Sequence, residues 1–268
     1  MSPPITVLGA GGWIGSALIA SLRAQGRQVE AIDRRRLPAW LEGGEAVGPV
    51  IYTIGLTSDC LDFPHATVEA HVGLLSQVLQ RPGVKQLVYL SSSRVYIRSG
   101  STLESEPIPC LSSDPSDIYT LSKLLGEALV LQDPRPGLRI VRLSNVFGPQ
   151  QSATTFLGAL LQEARESGIV RIRQPSASHK DYIHLDDVVR LLPQIAETGS
   201  QRIYNLGSGK NVSHAEIATL LERQGIKVIF ENENKPAVCF PPLAIQRLAS
   251  EFLPPADPLE QLPAAIKV

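Results

Sequence analysis

The chain has 268 residues and is 43% hydrophobic, which suits one large α/β domain or one domain with a modest second lobe, and excludes a disordered protein. Its 25 basic and 26 acidic side chains leave a net charge of −1, so it lacks the electrostatic footprint of a partner for nucleic acid or anionic membrane. Three cysteines, Cys60, Cys110 and Cys239, are odd in number and outside ligand spacing, so neither a disulfide framework nor a metal site is expected.

The opening stretch, MSPPITVLGAGGWIGSALIAS, is apolar but lacks a basic leading segment and is interrupted by glycines. Nothing else approaches the ~20 apolar residues of a membrane span, so no signal peptide, no membrane partner and a cytoplasmic location are expected. Ile5 to Leu8 reads as a buried strand, followed by a Gly-rich turn and a helix from about Trp13 to Gln25. Strands at Val29–Ile32 and Val50–Ile54 precede a helical pattern from Phe63 to Leu79, with Val68, Val72, Leu75 and Leu79 on one face. A strand over Leu87–Leu90, a Pro-punctuated loop over 99–117, a helix from Tyr119 to about Leu131 and a strand over Leu138–Leu143 follow. Alternation of continuous apolar strands with helices predicts a parallel sheet covered on both faces. Beyond Gly148 and Pro149 the elements shorten and proline rises, which predicts a smaller, irregular lobe, with Leu185–Ala196 as a helix returning to the sheet.

Chemistry concentrates at four places. Gly9-Ala-Gly-Gly12-Trp-Ile-Gly15 joins the first strand to the first helix, and such a turn brings backbone close to a pyrophosphate at a helix N-terminus. Asp33 stands eighteen residues past Gly15, at the end of the second strand, where a carboxylate accepts ribose hydroxyls and repels a 2′-phosphate. Arg34-Arg35-Arg36 follows directly; an arginine there can clamp that phosphate instead, so NAD is favoured over NADP by a small margin. Ser92 closes the strand of LVYLSSSRVY, at the carboxyl end where open α/β sheets bind ligands. Tyr119 and Lys123, four apart in IYTLSK, fall on one helix face, where a cation favours the phenolate.

With the glycine turn, Ser92 and Tyr119/Lys123 in this order, the chain resembles the extended short-chain dehydrogenase/reductase family, and within it the NAD-dependent nucleotide-sugar epimerases, dehydratases and reductases. The resemblance covers nearly the whole chain, since LSNVFGPQ (143–150), KDYIHLDDVV (180–189) and IYNLGSG (203–209) are similar to later segments of that family. It implies a Rossmann doubly wound sheet over 1–147, completed by roughly 181–206, with 148–180 and 207–268 as a smaller substrate lobe. It implies Tyr119 as acid/base, Lys123 lowering the phenol's pKa and holding the nicotinamide ribose, and Ser92 bonded to the same sugar oxygen. The implied cofactor contacts are Gly9, Gly12, Trp13, Ile14, Gly15, Asp33, Arg34, Gly55, Tyr119 and Lys123. Ser92, Ser93, Asn145 and Lys180 are the implied substrate contacts, the last two near a nucleoside diphosphate. A homodimer through the 63–79 and 119–131 helices is implied as well.

Four positions depart from the family pattern. Only sixteen residues separate Asp33 from Val50, so a trimmed adenine pocket is expected. His71 replaces an Asn, Ile97 a Gly, and Lys180 an Arg, which removes bidentate grip on phosphate. Ser93 and Arg94 occupy the places where dehydratases of the family carry an acidic pair, so dehydration is disfavoured. Epimerisation and ketone reduction both need only the Ser-Tyr-Lys set and a dinucleotide. An NADPH-dependent reductase of a non-sugar ketone is the alternative, and a non-catalytic dinucleotide-binding regulator is disfavoured by the Tyr/Lys pair.

Overall fold

A computed structural model describes residues 3–56 and 60–266. Six strands form one parallel sheet: β1 (Ile5–Leu8), β2 (Val29–Ile32), β3 (Val50–Tyr52), β4 (Gln86–Ser92), β5 (Gly137–Leu143) and β9 (Ile203–Leu206), in the order β2-β1-β3-β4-β5-β9. The order reverses direction between β1 and β3, and at such a switch point ligands enter from the carboxyl ends of the strands.

Both faces are covered, as uninterrupted apolar strands require. On one face, Val7, Ile51, Val88 and Val141 pack under α1 (Trp13–Ala24) and α7 (Leu185–Thr198). On the other, Leu8, Tyr52, Leu87 and Ile140 meet α2 (Leu37–Glu42), α4 (Leu74–Gln80) and α5 (Ile118–Gln132). The side chains of α7 at 188, 191, 192 and 195 repeat at helical spacing and are fully buried, so this late helix belongs to the sheet as expected.

The sixteen residues after Asp33 hold α2 and no strand, which leaves β2 at the sheet edge. In the usual doubly wound order another strand lies outside it. The shortening read from the sequence is therefore a missing edge strand.

The helix read over Phe63–Leu79 is broken. Only α3 (Pro64–Val68) and α4 are α-helical, and a π-turn over Glu69–Gly73 joins them. A π-turn frees backbone carbonyls from the helical ladder. Tyr52 Oη donates to the carbonyl of Ala70 at 2.6 Å and Tyr89 Oη to that of His71 at 3.2 Å. Apolar spacing runs smoothly through the turn, so periodicity gave no sign of it.

The second lobe is more regular than proline content suggested. β6 (Asn145–Phe147), β8 (His179–His184) and β10 (Asn211–Ser213) form a mixed three-stranded sheet; β7 (Ile169–Ile172) pairs parallel with β11 (Lys227–Phe230). α6 (Phe156–Ser167) and α8 (His214–Glu222) close over them around Leu157, Leu161, Val170, Ile172 and Ile217. Strands of three to six residues carry too little alternation to be read from sequence. α9 (Gln246–Glu251) and α10 (Pro258–Ala265) end the described chain. Among the described residues no helix is long and apolar enough to cross a membrane.

Candidate active site

The glycine turn is built for close approach. Gly9 has φ +92°, and a Cβ there would stand 2.6 Å from Thr53 Oγ1; one on Gly15 would stand 2.3 Å from the Gly9 carbonyl oxygen. Only glycine allows strand end, turn and helix to meet this tightly. α1 then starts at Gly12 without a side-chain cap, so its first N–H groups stay open to an anion. The open helix start and the tight glycine cradle fit a dinucleotide diphosphate.

A cavity of about 580 Å³ begins at Trp13 and Ile14 and runs past Gly55, Ser92, Tyr119 and Lys123 to Asn145 and Lys180. These eight expected site residues therefore share one space. Ser93 does not line it; its neighbour Arg94 does. Asp33 and Arg34 lie outside its wall at the end of β2. Asp33 Oδ1 accepts the N–H groups of Arg35 and Arg36, each at 3.0 Å, so part of this carboxylate holds its own turn. Trp13 donates its indole N–H to the Pro149 carbonyl at 2.9 Å, tying the first helix to the start of the lobe.

Two local devices hold Ser92 beside Tyr119. Ser92 caps the 3₁₀ turn Ser93–Arg98, its Oγ accepting the Arg94 N–H at 3.2 Å. Arg98, at the end of that turn, donates to Asp114 at 2.5 Å and Asp117 at 2.9 Å, immediately before α5. Strand end and helix start are thus clamped together. The buried stripe of α5 is unusually polar, comprising Tyr119, Ser122, Lys123 and Glu127 around Gly126 and Val130. Polar groups on a buried stripe are costly unless partnered, and Ser122, Lys123 and Glu127 all have hydrogen-bond partners.

Tyr119 is only 5% exposed. Burial raises its phenol above the ordinary range; the nearby Ser92 hydroxyl, outside hydrogen-bond geometry, and the charge of Arg94 act in the opposite direction. Lys123 makes no direct hydrogen bond to the phenol among the described residues. Its amine donates to the Leu90 carbonyl at 2.8 Å and lies 5.9 Å from the centre of the Tyr119 ring. Burial brings Lys123 itself down to about 7, with Glu127 opposing. Arg94, noted in the sequence only as an absent carboxylate, is one cation that acts on the phenol.

His71, which stands where the family carries an Asn, is not among the expected site residues. It is fully buried in the π-turn, edge-on to Tyr119 with ring centres 5.4 Å apart. Ser122 Oγ donates to the Tyr119 carbonyl at 2.9 Å and lies 2.8 Å from His71 Nδ1. A hydroxyl has one proton, so Nδ1 must donate to Ser122 and Nε2 is left bare. Burial, then Lys123, holds this imidazole down to about 3; the Leu56 backbone acts in the opposite direction, through a contact outside hydrogen-bond geometry. Its position in a helix-like sequence gave no signal beyond the departure from Asn.

Beneath the site runs a buried polar chain. Glu127 accepts from Ser91 at 2.5 Å and pairs with Arg142 at 2.7 Å, and Arg142 donates to Tyr96 Oη at 2.6 Å. Tyr96 in turn donates to Asn205 at 2.9 Å. At the lobe end, Lys180 lies over the rings of Phe156 and Tyr182, at 4.7 and 5.5 Å from their centres, and Phe156 stacks on His214. Burial, then the charge of Arg94, lowers Lys180 to about 8. Asn145 donates to the Asp181 carbonyl at 2.8 Å.

A parallel doubly wound sheet, a glycine turn open to diphosphate and a Ser-Tyr-Lys cluster at its carboxyl edge define a dinucleotide-binding protein of the Rossmann type. Residues 5–207 match the model of the NAD dependent epimerase/dehydratase family, and the chain belongs to that family. It is similar to the dTDP-glucose 4,6-dehydratase of Streptomyces griseus, 30% identical over 53% of this chain but only 43% of that relative, so the match spans less than half of its length. The ADP-L-glycero-D-manno-heptose-6-epimerase of Cupriavidus pinatubonensis is 24% identical over 93% of this chain and 83% of its own. In structure the chain resembles a UDP-galactose 4-epimerase, with a TM-score of 0.78 at 21% identity, over 98% of this chain and 97% of that one. A dehydratase among these relatives means that the comparisons do not carry the expected exclusion of dehydration.

Proposed function

We propose that the chain is an NAD(P)-dependent nucleotide-sugar epimerase or 4-ketoreductase that uses Ser92, Tyr119 and Lys123. The observation carrying this reading is that all three line one cavity reaching from the glycine turn to Asn145 and Lys180. A bound nicotinamide dinucleotide supplies reversible hydride acceptance at carbon. Tyr119 holds or releases the proton at the sugar oxygen, while Ser92 donates to that oxygen and orients it. Lys123, near 7, supplies partial positive charge beside the cofactor space, and Gly55 leaves room there. Dehydration is disfavoured on the residues alone, because Ser93 and Arg94 offer no carboxylate to remove a carbon-bound proton.

The cofactor half is read as 1–147 completed by roughly 181–206, a division supported by the pairing of β9 with β5. The remaining residues are read as the substrate lobe, except for α9, whose Leu248 packs into the core of the main sheet beside Tyr204 and Leu206. A homodimer fits an apolar groove between α3 and α5, lined by Leu61, Val68, Ile118, Leu121 and Leu125. The alternative, a reductase of a non-sugar ketone, is allowed by Lys180 and Ile97, and exposed Arg34 beside Asp33 favours exchangeable NADPH for it.

Mass spectrometry of the dinucleotide retained on purification, followed by incubation with a nucleotide-sugar panel, tests the proposal. Interconversion of hydroxyl epimers without net change in nicotinamide absorbance supports an epimerase. Net consumption of reduced cofactor with a 4-keto sugar supports a ketoreductase. Failure to bind any nicotinamide dinucleotide, or turnover of simple ketones alone, overturns the nucleotide-sugar reading.

A further inference from the structure

Glu127 is buried one helical turn beyond Lys123, on the same face of α5. It does not line the cavity, and no step of the proposed chemistry uses it. Stability alone does not account for a carboxylate there, because a buried ion pair is often no more stabilising than apolar side chains of similar volume. Its surroundings are specific. Oε1 accepts from Ser91 Oγ at 2.5 Å and from Arg142 Nε at 3.1 Å, while Oε2 accepts from Arg142 Nη2 at 2.7 Å. Ser91 lies on β4 between Ser92 and Leu90, whose carbonyl receives the Lys123 amine. Arg142 lies opposite Ser91 on β5 and is braced in turn by Tyr96 Oη at 2.6 Å. Both carboxylate oxygens are thus fixed from two neighbouring strands.

Lys123 is buried as well, and the ion pair of Glu127 is with Arg142 and not with this amine. Facing the amine are the Tyr89 ring from β4 at 5.1 Å, the Tyr119 ring from α5 at 5.9 Å, His71 from the π-turn, and Glu127 with Arg142 behind it. The phenols are neutral, and burial holds the imidazole down to about 3, so it is neutral too. Burial works against the ammonium, and Glu127 is the anion that works for it. A loose carboxylate would swing onto the ammonium and draw it away from Leu90 and the cofactor space. One tied by Ser91 and Arg142 cannot. We propose that Glu127 is a positioning residue that serves Lys123 as a fixed counter-charge, keeping the amine a cation at the Leu90 carbonyl without pairing with it. This rests on the role read for Lys123 in the proposed function.

The test is an NMR titration of the purified protein carrying ¹³Cε-lysine, with the Lys123 signal assigned by its loss in Lys123→Arg. The wild-type amine should titrate with a midpoint of about 7. Glu127→Gln should lower that midpoint by at least about one pH unit, and a smaller shift overturns the proposal. Because Gln leaves the Arg142 guanidinium unpaired, the double variant Glu127→Gln/Arg142→Met removes both charges and should still lower the midpoint by at least about half a unit. A smaller shift in the double variant overturns the proposal, since the single variant then reports only repulsion from the guanidinium. If neither variant folds, the wild type decides: a midpoint of about 6.5 or more sustains the counter-charge, and a lower one overturns it. With a nucleotide sugar that the protein turns over, the high-pH limb of kcat in Glu127→Gln should move to lower pH with the midpoint, since the amine then loses its proton earlier. An unmoved limb overturns the proposal and leaves the nucleotide-sugar reading standing. Turnover of no nucleotide sugar overturns that reading, and the titration still decides whether Glu127 sets the charge of Lys123.

Discussion

Asp33 has two tasks that pull on one carboxylate. One oxygen holds the N–H groups of Arg35 and Arg36, leaving the other to face the adenosine ribose in the proposed complex. A phosphate of about −2 charge beside it is repelled, so NAD(H) should bind more tightly than NADP(H). Asp33→Gly removes that repulsion and frees Arg34 to grip the 2′-phosphate. Titration of both cofactors should show the ratio move towards NADP(H) by about tenfold, with a stability loss of about 1 kcal/mol from the lost turn contacts. Tighter NADP(H) binding by the wild type would contradict this. The place of Asp33 just after β2 was legible because a clear apolar strand precedes it at a fixed distance from the glycines. Arg94 and His71 were not, since a lone cation after a serine and a histidine in a helical pattern look ordinary until neighbours are known.

At the level of elements, the site depends on how closely α5 approaches the π-turn. A Cβ added at Gly126 would stand 2.5 Å from Tyr89 Oη and 2.8 Å from the His71 carbonyl oxygen. Those atoms are bonded to each other, so neither can yield without loosening the π-turn. Gly126→Ala should therefore lower stability by about 1–3 kcal/mol, offset in part by the ~1 kcal/mol gain in helix propensity. Denaturant unfolding checks it, and an unchanged or higher midpoint would show that the contact is slack. The strands of the main sheet were readable because burial on both faces makes them continuous apolar runs. The π-turn was not, because the residues at 68, 72, 75 and 79 keep helical spacing while the backbone slips by one hydrogen bond.

Across the whole molecule, three segments far apart in sequence meet at Asp181. Its Oδ1 accepts from Ser144 Oγ at 2.6 Å and from the Ser208 N–H at 3.0 Å, joining 143–150, 180–189 and 203–209 into one junction between sheet and lobe. The sequence reading found those segments as separate resemblances; that they share a carboxylate is a fact of folding. Burial pushes Asp181 up to about 6, against the hydrogen bonds from Ser144 and Ser208. Its folded pKa therefore lies above the unfolded value of about 4, so its contribution to stability is complete below about pH 4 and declines as pH rises through about 6. Asp181→Asn keeps the acceptor oxygen and cannot ionise. The stability of the wild type relative to this variant should fall by up to about 2–3 kcal/mol between about pH 4 and pH 7, as read by urea unfolding at several pH values. A difference that stays constant or grows with pH would contradict the assignment.

Tyr119 joins these scales: a phenol raised by burial, held by a clamp between strand end and helix start, in a cavity between dinucleotide turn and lobe. Replacing Tyr119 by Phe removes one oxygen and its proton and leaves the ring packing in place. With a turned-over nucleotide sugar, kcat should fall by at least about 10²–10⁴-fold while NAD affinity stays within about twofold. Retention of more than about a few per cent of kcat, on that same scale, would show that the proton passes through another group and that the Ser92–Tyr119–Lys123 account is wrong.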